Sequence, residues 1–263
     1  MRRLAIIGCG AIGSLIARAV DEGVIEAELL YLLDLDRAKA ERLASSLERQ
    51  RPRVAGGIEE VVGDPRVEVV VEAASQEAVL QYGRMVLEAG KELVVLSVGA
   101  LLTEEGRRLL EEHGDRIHVP SGAIAGLDAL RALALAGVER VELVTRKHPS
   151  KLASSPYARE RGLRLEGIRE PVVVFEGPAE EAVRAFPRSL NVAAALAVYS
   201  RAPVHVRVVA DPQALRNIHE IKVYSRASAL YIRVENVPHP ENPKTSYLAA
   251  LSAVALLRDL CSR

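Results

Sequence analysis

The sequence predicts an α/β protein in two parts. A doubly wound parallel sheet occupies 1–120, and an α+β part built on a mixed or antiparallel sheet occupies 121–242. A closing helix, 243–263, returns to the first part. Three observations lead there. Short apolar runs alternate with amphipathic helical stretches through the first half. Beyond about residue 138, strands alternating apolar and polar residues are separated by turns. The chain then closes on a long apolar helical stretch, NPKTSYLAALSAVALLRDL, that needs a surface to cover.

RLAIIG, residues 3–8, is an apolar run ending in glycine, and AIGSLIARAV follows at helical spacing, so the chain opens as strand, tight turn and helix. AELLYLLDLD then leads into DRAKAERLASSLERQ, and VEVVVEAAS into QEAVLQYGRMVLEAG. KELVVLSVGALL reads as a further strand before the helical TEEGRRLLEEHG, and HVPSGAIAG supplies one more strand end. Such alternation predicts a parallel sheet covered on both faces. In the second half RVELVTRK, EPVVVFEG, VHVRVVAD and the pair HEIKVYSRASALYIRVENV read as strands, with only two evident helices. Val206, Val208 and Val209 around Arg207 suit a sheet with one wet face. Residues 150–170 read as a surface excursion, and Thr245 or Ser246 is placed to cap the final helix.

Composition narrows the function. With 49% hydrophobic residues over 263 positions the chain can bury a substantial core. Acids and bases balance at 35 each, which excludes a global field for nucleic acid or an anionic membrane. No apolar run reaches the ~18 residues that span a bilayer. Cys9 and Cys261 lie far apart, and neither an H-x-x-x-H pattern nor clustered cysteine and histidine offers a metal site. The opening MRRLAIIGCG reads as the first strand and not as a cleavable leader, so the expectation is a reduced, cytoplasmic protein.

Gly8, Gly10 and Gly13 spell G-x-G-x-x-G between that strand and the helix. Gly8 permits the tight turn, Gly10 lets backbone approach a pyrophosphate, and Gly13 brings helix against strand. The helix N-terminus offers N–H groups to phosphates. Asp34 follows about 20 residues on, at the end of the second strand, which completes the Rossmann dinucleotide fingerprint. Its carboxylate suits the adenine-ribose hydroxyls and repels a 2′-phosphate, favouring NAD; Arg37 leaves NADP open. Ala73, Ala74 and Ser75, and Ser97, Val98 and Gly99, are small residues at strand ends, where a ligand of an open α/β sheet lies. Turn chemistry alone explains them equally well.

Six histidines compete for acid–base work, because an unperturbed imidazole titrates near neutrality. His113 and His118 fall in structural positions, and His205 and His239 read as surface residues. His148 follows Arg146 and Lys147 at a strand end. His219 starts the paired strands, with Asn217 on its own face and Glu220 on the other.

Five segments, in order from end to end, carry a resemblance: GCGAIG, SGAIAGLDAL from Ser121, RSLNVAAALA around Asn191, NIHEIKV around His219 and ENPKTSYLAALS from Glu241. The sequence resembles the L-aspartate dehydrogenase family. The resemblance implies a Rossmann domain joined to a smaller α/β domain, a homodimer, and oxidation of L-aspartate with NAD(P) to iminoaspartate. That product feeds nicotinamide nucleotide biosynthesis or hydrolyses to oxaloacetate and ammonia. It also implies His219 as the catalytic histidine, here the general base, Ala123 and Asn191 as nicotinamide-side contacts, and Gly8, Gly10, Ala11, Ile12 and Gly13 as the loop contacts. Two substrate carboxylates need cationic or N–H partners, for which Lys147, Arg146, His148, Lys222, Thr245 and Ser246 are candidates. Each also has a plain reading as solvated strand end or helix cap. With an ordinary imidazole as base, kcat/KM should rise with pH through a histidine-like ionisation. Two alternatives stay open at this point: a two-domain reductase of another amino-acid precursor, homoserine or dihydrodipicolinate, and an NAD-binding redox sensor without turnover.

Overall fold

Leu4, Ala5, Ile6 and Ile7 are buried on both sides of the first strand, β1 (Arg2–Ile7), as a continuous apolar run requires of a central parallel strand. In the computed structural model, which describes residues 1–153, 155–187, 189–240 and 245–262, β1 begins one of two compact units. One comprises Met1–Pro120 with the chain from Ala250 on, the other Ser121–Ala249. Positions 241–244, part of the resemblance and of the expected closing helix, lie outside the described residues, as do 154, 188 and 263.

After β1 the first unit runs through α1 (Ala11–Asp21), β2 (Ala27–Leu33), α2 (Arg37–Ser46), β3 (Arg53–Val54) and α3 (Ile58–Gly63). It continues with β4 (Val69–Glu72), α4 (Gln76–Glu88), β5 (Glu92–Val95), α5 (Glu104–His113) and β6 (Ile117–His118). The strands are parallel in the order β3-β2-β1-β4-β5-β6, so the winding reverses between β1 and β4. KELVVLSVGALL departs from the expected strand: it leaves the sheet after Val95 and turns into a 3₁₀ helix, Val98–Leu102. Ser97 N–H is taken by the Glu72 carboxylate at 2.9 Å instead of by a ladder partner, which ends the strand there.

The second unit contains α6 (Leu127–Ala136), β7 (Val138–Lys147), α7 (Pro149–Leu152), α8 (Pro156–Glu160), β8 (Val172–Pro178), α9 (Ala179–Ala185) and α10 (Asn191–Ser200). β9 (Val204–Ala210), β10 (Asn217–Ser225) and β11 (Ala229–Asn236) follow. The sheet order is β11-β10-β7-β9-β8, mixed because β7 and β9 are parallel while the other pairs are antiparallel. One face is buried through Val141, Leu143 and Thr145, Val206 and Val208, and His219, Ile221 and Val223. The other is wet and laced with ion pairs, Arg146–Glu220, Arg233–Glu220 and Arg207–Glu176. α10 buries Val192 to Leu196, so it is covered nearly all round, and it packs against α6.

The 150–170 stretch is not a mere excursion. Leu152, Ala158 and Leu165 are buried, and the Tyr157 ring packs at 5.6 Å and 5.4 Å from the rings of Phe175 and Phe186. A polar and glycine-rich sequence masked those anchors. His239 is likewise buried, not a surface residue, because a bridge between Pro238 and Ser246 folds its loop and sets the imidazole edge-on to Tyr247. The last helix, α11 (Tyr247–Cys261), places Ala253, Leu257, Leu260 and Cys261 in one core cluster with Ile6, Ile16, Leu29 and Val69. Among the described residues no helix is long and apolar enough to cross a membrane.

Candidate active site

The first unit carries its site at the carboxyl ends of β1, β2, β4 and β5. Gly8 has φ +96°, and a Cβ there would lie 2.6 Å from the Ala73 carbonyl oxygen. A Cβ on Gly13 would lie 1.9 Å from the Gly8 carbonyl, so α1 presses directly on the turn. Around Gly10, in contrast, nothing lies within 4 Å. α1 begins at Ala11 with no side chain capping it and no acid in its first turn, which leaves its opening N–H groups suited to an anion. Cramped glycines on two sides and open space on the third fit a pyrophosphate.

Asp34, just past β2, is half-buried. Its Oδ2 accepts from Cys9 N–H at 2.7 Å and its Oδ1 from Asp36 N–H at 2.9 Å, so the carboxylate is tied to the glycine turn. Arg37 is drawn to Glu41 at 2.8 Å. The Cys9 thiol, pushed up to about 12 by burial and then by the Asp34 charge, stays protonated and unreactive.

At the ends of β4 and β5 the small residues divide by role. Ser75 caps α4, accepting from Ala78 N–H at 3.3 Å, and Gly99 is buried within the 3₁₀ helix instead of ending a strand. Ala74 N–H, and both the N–H and hydroxyl of Ser97, are bonded to Glu72. Glu72 escaped the sequence reading: an acid after VVV reads as the polar end of a strand, yet here it is buried. Burial pushes its pKa up against the hydrogen bonds that pull it down. At the amino ends of the strands a cavity of about 650 Å³ lies beside Arg2, Glu92 and His118, with the Glu92 carboxylate bonded to both Arg2 and the His118 ring.

The second unit carries a separate cluster on the buried face of β7 and β10. His219 stands opposite Thr145 in the antiparallel register, both buried, with Nδ1 3.1 Å from Thr145 Oγ1. Nε2 carries no hydrogen bond to a described residue. Two residues from Thr145 on the same face, Lys147 is buried and donates to the Ser189 carbonyl at 3.0 Å. Lys151 donates to Asn217 Oδ1 at 3.2 Å. Among the described residues neither lysine has a carboxylate partner. Burial, helped by the Lys151 charge, lowers Lys147 to about 8; burial and then the Lys147 charge lower His219 to about 3. The imidazole is therefore neutral across the physiological range.

Lys147 thus joins His219 while Lys222 does not. Three residues along a strand is an odd offset, so Lys222 is exposed on the opposite face. Arg146 is on that face too, bonded to Glu220 at 3.1 Å. His148 caps α7, its Nδ1 2.8 Å from Ser150 Oγ. The Ala123 carbonyl accepts from Asn236 Nδ2 at 3.0 Å, and Asn191 is the first residue of α10. Ser246 is buried just before α11, and the Thr245 carbonyl accepts from His239 N–H at 2.8 Å. Thr145, Lys151 and Asn236 were missed because their partners lie far away in sequence: the register of β7 with β10 brings Thr145 to His219, α7 brings Lys151 to Asn217, and Asn236 reaches Ala123.

The family model for the aspartate dehydrogenase C-terminal part matches residues 128–260, and that for the homoserine dehydrogenase NAD-binding domain matches 8–120. An L-aspartate dehydrogenase of Methanosarcina barkeri is 46% identical, over 100% of this chain and 98% of its own. This chain belongs to the L-aspartate dehydrogenase family. A family relative from Methanocaldococcus jannaschii is 40% identical over 99% of this chain and 97% of its own. The crystal structure of the Thermotoga maritima aspartate dehydrogenase superposes with a TM-score of 0.75 at 29% identity, covering 99% of this chain and 97% of that one. The Lactobacillus casei myo-inositol dehydrogenase, at TM-score 0.57 and 12% identity over 100% of this chain and 86% of its own, shares the fold alone. The homoserine-type likeness is thus confined to the nucleotide half, and family membership sets aside the reductase reading.

Proposed function

We propose that this protein oxidises L-aspartate to iminoaspartate with NAD preferred over NADP, His219 accepting the proton from the substrate ammonium. The observation that carries the reading is a neutral, buried imidazole sharing a sheet face with an ammonium group that, among the described residues, no carboxylate neutralises, and with a second close by. Lys147 and Lys151 suit the two carboxylates of a dicarboxylic amino acid. In the tautomer this reading requires, Nδ1–H donates to Thr145 Oγ1, which leaves the Nε2 lone pair for the proton. Burial holds His219 down first and the Lys147 charge adds to it; a dianion on the lysines offsets that second, charge contribution, so the substrate itself raises the basicity of its base. Loss of the ammonium proton frees the nitrogen lone pair to form C=N as the α-hydrogen leaves. The turn from Gly8 to Gly13, with Ala11 and Ile12, would hold the dinucleotide, which would supply the acceptor for that hydrogen with its electron pair. Water added to the imine carbon then gives oxaloacetate and ammonia.

Asp34, anchored by two N–H groups, favours the ribose diol, while Arg37 is engaged by Glu41, which supports NAD. Ala123 and Asn191 contact the nicotinamide side in this reading. Supply of iminoaspartate for nicotinamide nucleotide synthesis, a cytoplasmic setting and a homodimer belong to the same reading. Purified protein given NAD and L-aspartate should form NADH, and should not with homoserine. His219→Ala should lower turnover by ~10²–10⁴-fold while NADH still binds. NADH formation from homoserine at the aspartate rate, or none from aspartate despite NADH binding, refutes the assignment.

A further inference from the structure

One buried carboxylate in the nucleotide unit has no part in the chemistry above. Glu72 closes β4 and is 1% exposed. Its Oε1 accepts from Ala74 N–H at 2.8 Å and Ser97 Oγ–H at 2.9 Å. Its Oε2 accepts from Leu96 N–H at 3.2 Å and Ser97 N–H at 2.9 Å. All four groups donate, which matches an ionised carboxylate, an acceptor at every lone pair. The turns it joins follow β4 and β5, on the side of the sheet where the Ala73 carbonyl lies against Gly8.

We propose that Glu72 is the positioning residue of the cofactor rim: it ties the turns after β4 and β5 into one unit and occupies four of their donors. With the N–H groups of Ala74, Leu96 and Ser97 and the Ser97 hydroxyl hydrogen taken by Glu72, the lone pairs of Ser97 Oγ remain there as acceptors. Acceptors repel phosphate and suit the N–H of a carboxamide or the hydroxyls of a ribose. The pyrophosphate is served by the open N–H groups of α1 and the nicotinamide half by this rim. The inference rests on reading that edge as the dinucleotide site.

Glu72→Gln is the informative change because it keeps the shape. Ser97 Oγ can turn to accept from the new amide, so the NH₂ settles where Oε1 stood and meets Ala74 N–H donor to donor. The turn after β4 comes loose while the bonds to Leu96 and Ser97 N–H hold. Losing a charge-assisted bond and stranding a donor should raise the NADH Kd and the KM for NAD about tenfold or more, with kcat at saturation within about threefold of wild type and KM for L-aspartate unchanged. A variant that melts earlier but binds NADH as tightly as wild type overturns the proposal, because Glu72 then only stabilises the sheet. If Glu72→Gln does not fold, Ser97→Ala removes one donor of the four, and the NADH Kd should rise about two- to fivefold; an unchanged Kd there is equally fatal. Wild-type protein unable to bind NADH would instead remove the dinucleotide reading beneath it.

Discussion

Replacing Lys147 by methionine should make the second unit more stable and the enzyme worse. The ammonium is buried with the Ser189 carbonyl as its one acceptor among the described residues, and its fall from 10.5 to about 8 corresponds to about 3 kcal/mol that the charge costs the folded state at pH 7. Methionine fills similar space without that charge but forfeits the hydrogen bond, worth about 1 kcal/mol. The net gain is about 2 kcal/mol at pH 7. The sign follows from proton uptake: between about 8 and 10.5 the unfolded chain keeps the proton that folded Lys147 has lost, so wild-type stability rises with pH there. The advantage of methionine therefore shrinks as pH rises through about 8 and has reversed by 10.5, where the charge costs less than the hydrogen bond gives. Urea denaturation of both proteins at pH 7 and 10.5, followed by circular dichroism, measures it. KM for L-aspartate should meanwhile rise about tenfold or more at pH 7. In wild type kcat/KM should fall as pH rises through about 8, and with His219 held near 3 in the free enzyme the rising histidine limb expected from the sequence should be missing. A methionine variant less stable at pH 7, or a stability difference that does not vary with pH, refutes the reasoning.

Gly10→Val should fold normally, since its φ is −77° and nothing lies within 4 Å, yet lose NADH binding; retained affinity would mean no ligand approaches that space. Asp34→Ala should weaken NAD far more than NADP, checked by the ratio of the two KM values, which stays constant if the carboxylate does not meet the ribose. Thr145→Val removes the one side-chain hydrogen bond that His219 makes among the described residues and should lower kcat about tenfold with KM for NAD unchanged, whereas Thr145→Ser should keep most activity. Equal turnover by the valine variant would show that the imidazole needs no holding.

What could be read in the chain follows from how local each requirement is. Gly8, Gly13 and Asp34 answer to steric and charge demands within one strand-turn-helix-strand passage, so their spacing alone announces them. The parallel and mixed sheets were legible for the same reason, since apolar period and run length are local. Thr145 and His219 are 74 residues apart and meet only through the pairing of β7 with β10, which no pattern in either strand specifies. Lys222 seemed close to His219 by number, and the two-residue period of a strand turns it away. Glu72 and the 3₁₀ helix after it were hidden together, because whether an acid caps a strand or bonds the next one depends on what the fold brings beside it.

The helix α11 has a consequence for the order of events during synthesis. Ala253, Leu257, Leu260 and Cys261 belong to the core of the nucleotide unit but are encoded after the whole of 121–249. At roughly 5–20 residues per second that intervening stretch takes on the order of ten seconds to emerge, during which Ile6, Ile16 and Val69 wait for four of their packing partners. The nucleotide unit therefore cannot mature ahead of the substrate unit as the earlier of two independent domains would. A chain interrupted before α11 lacks those four core residues and leaves that apolar core unfinished.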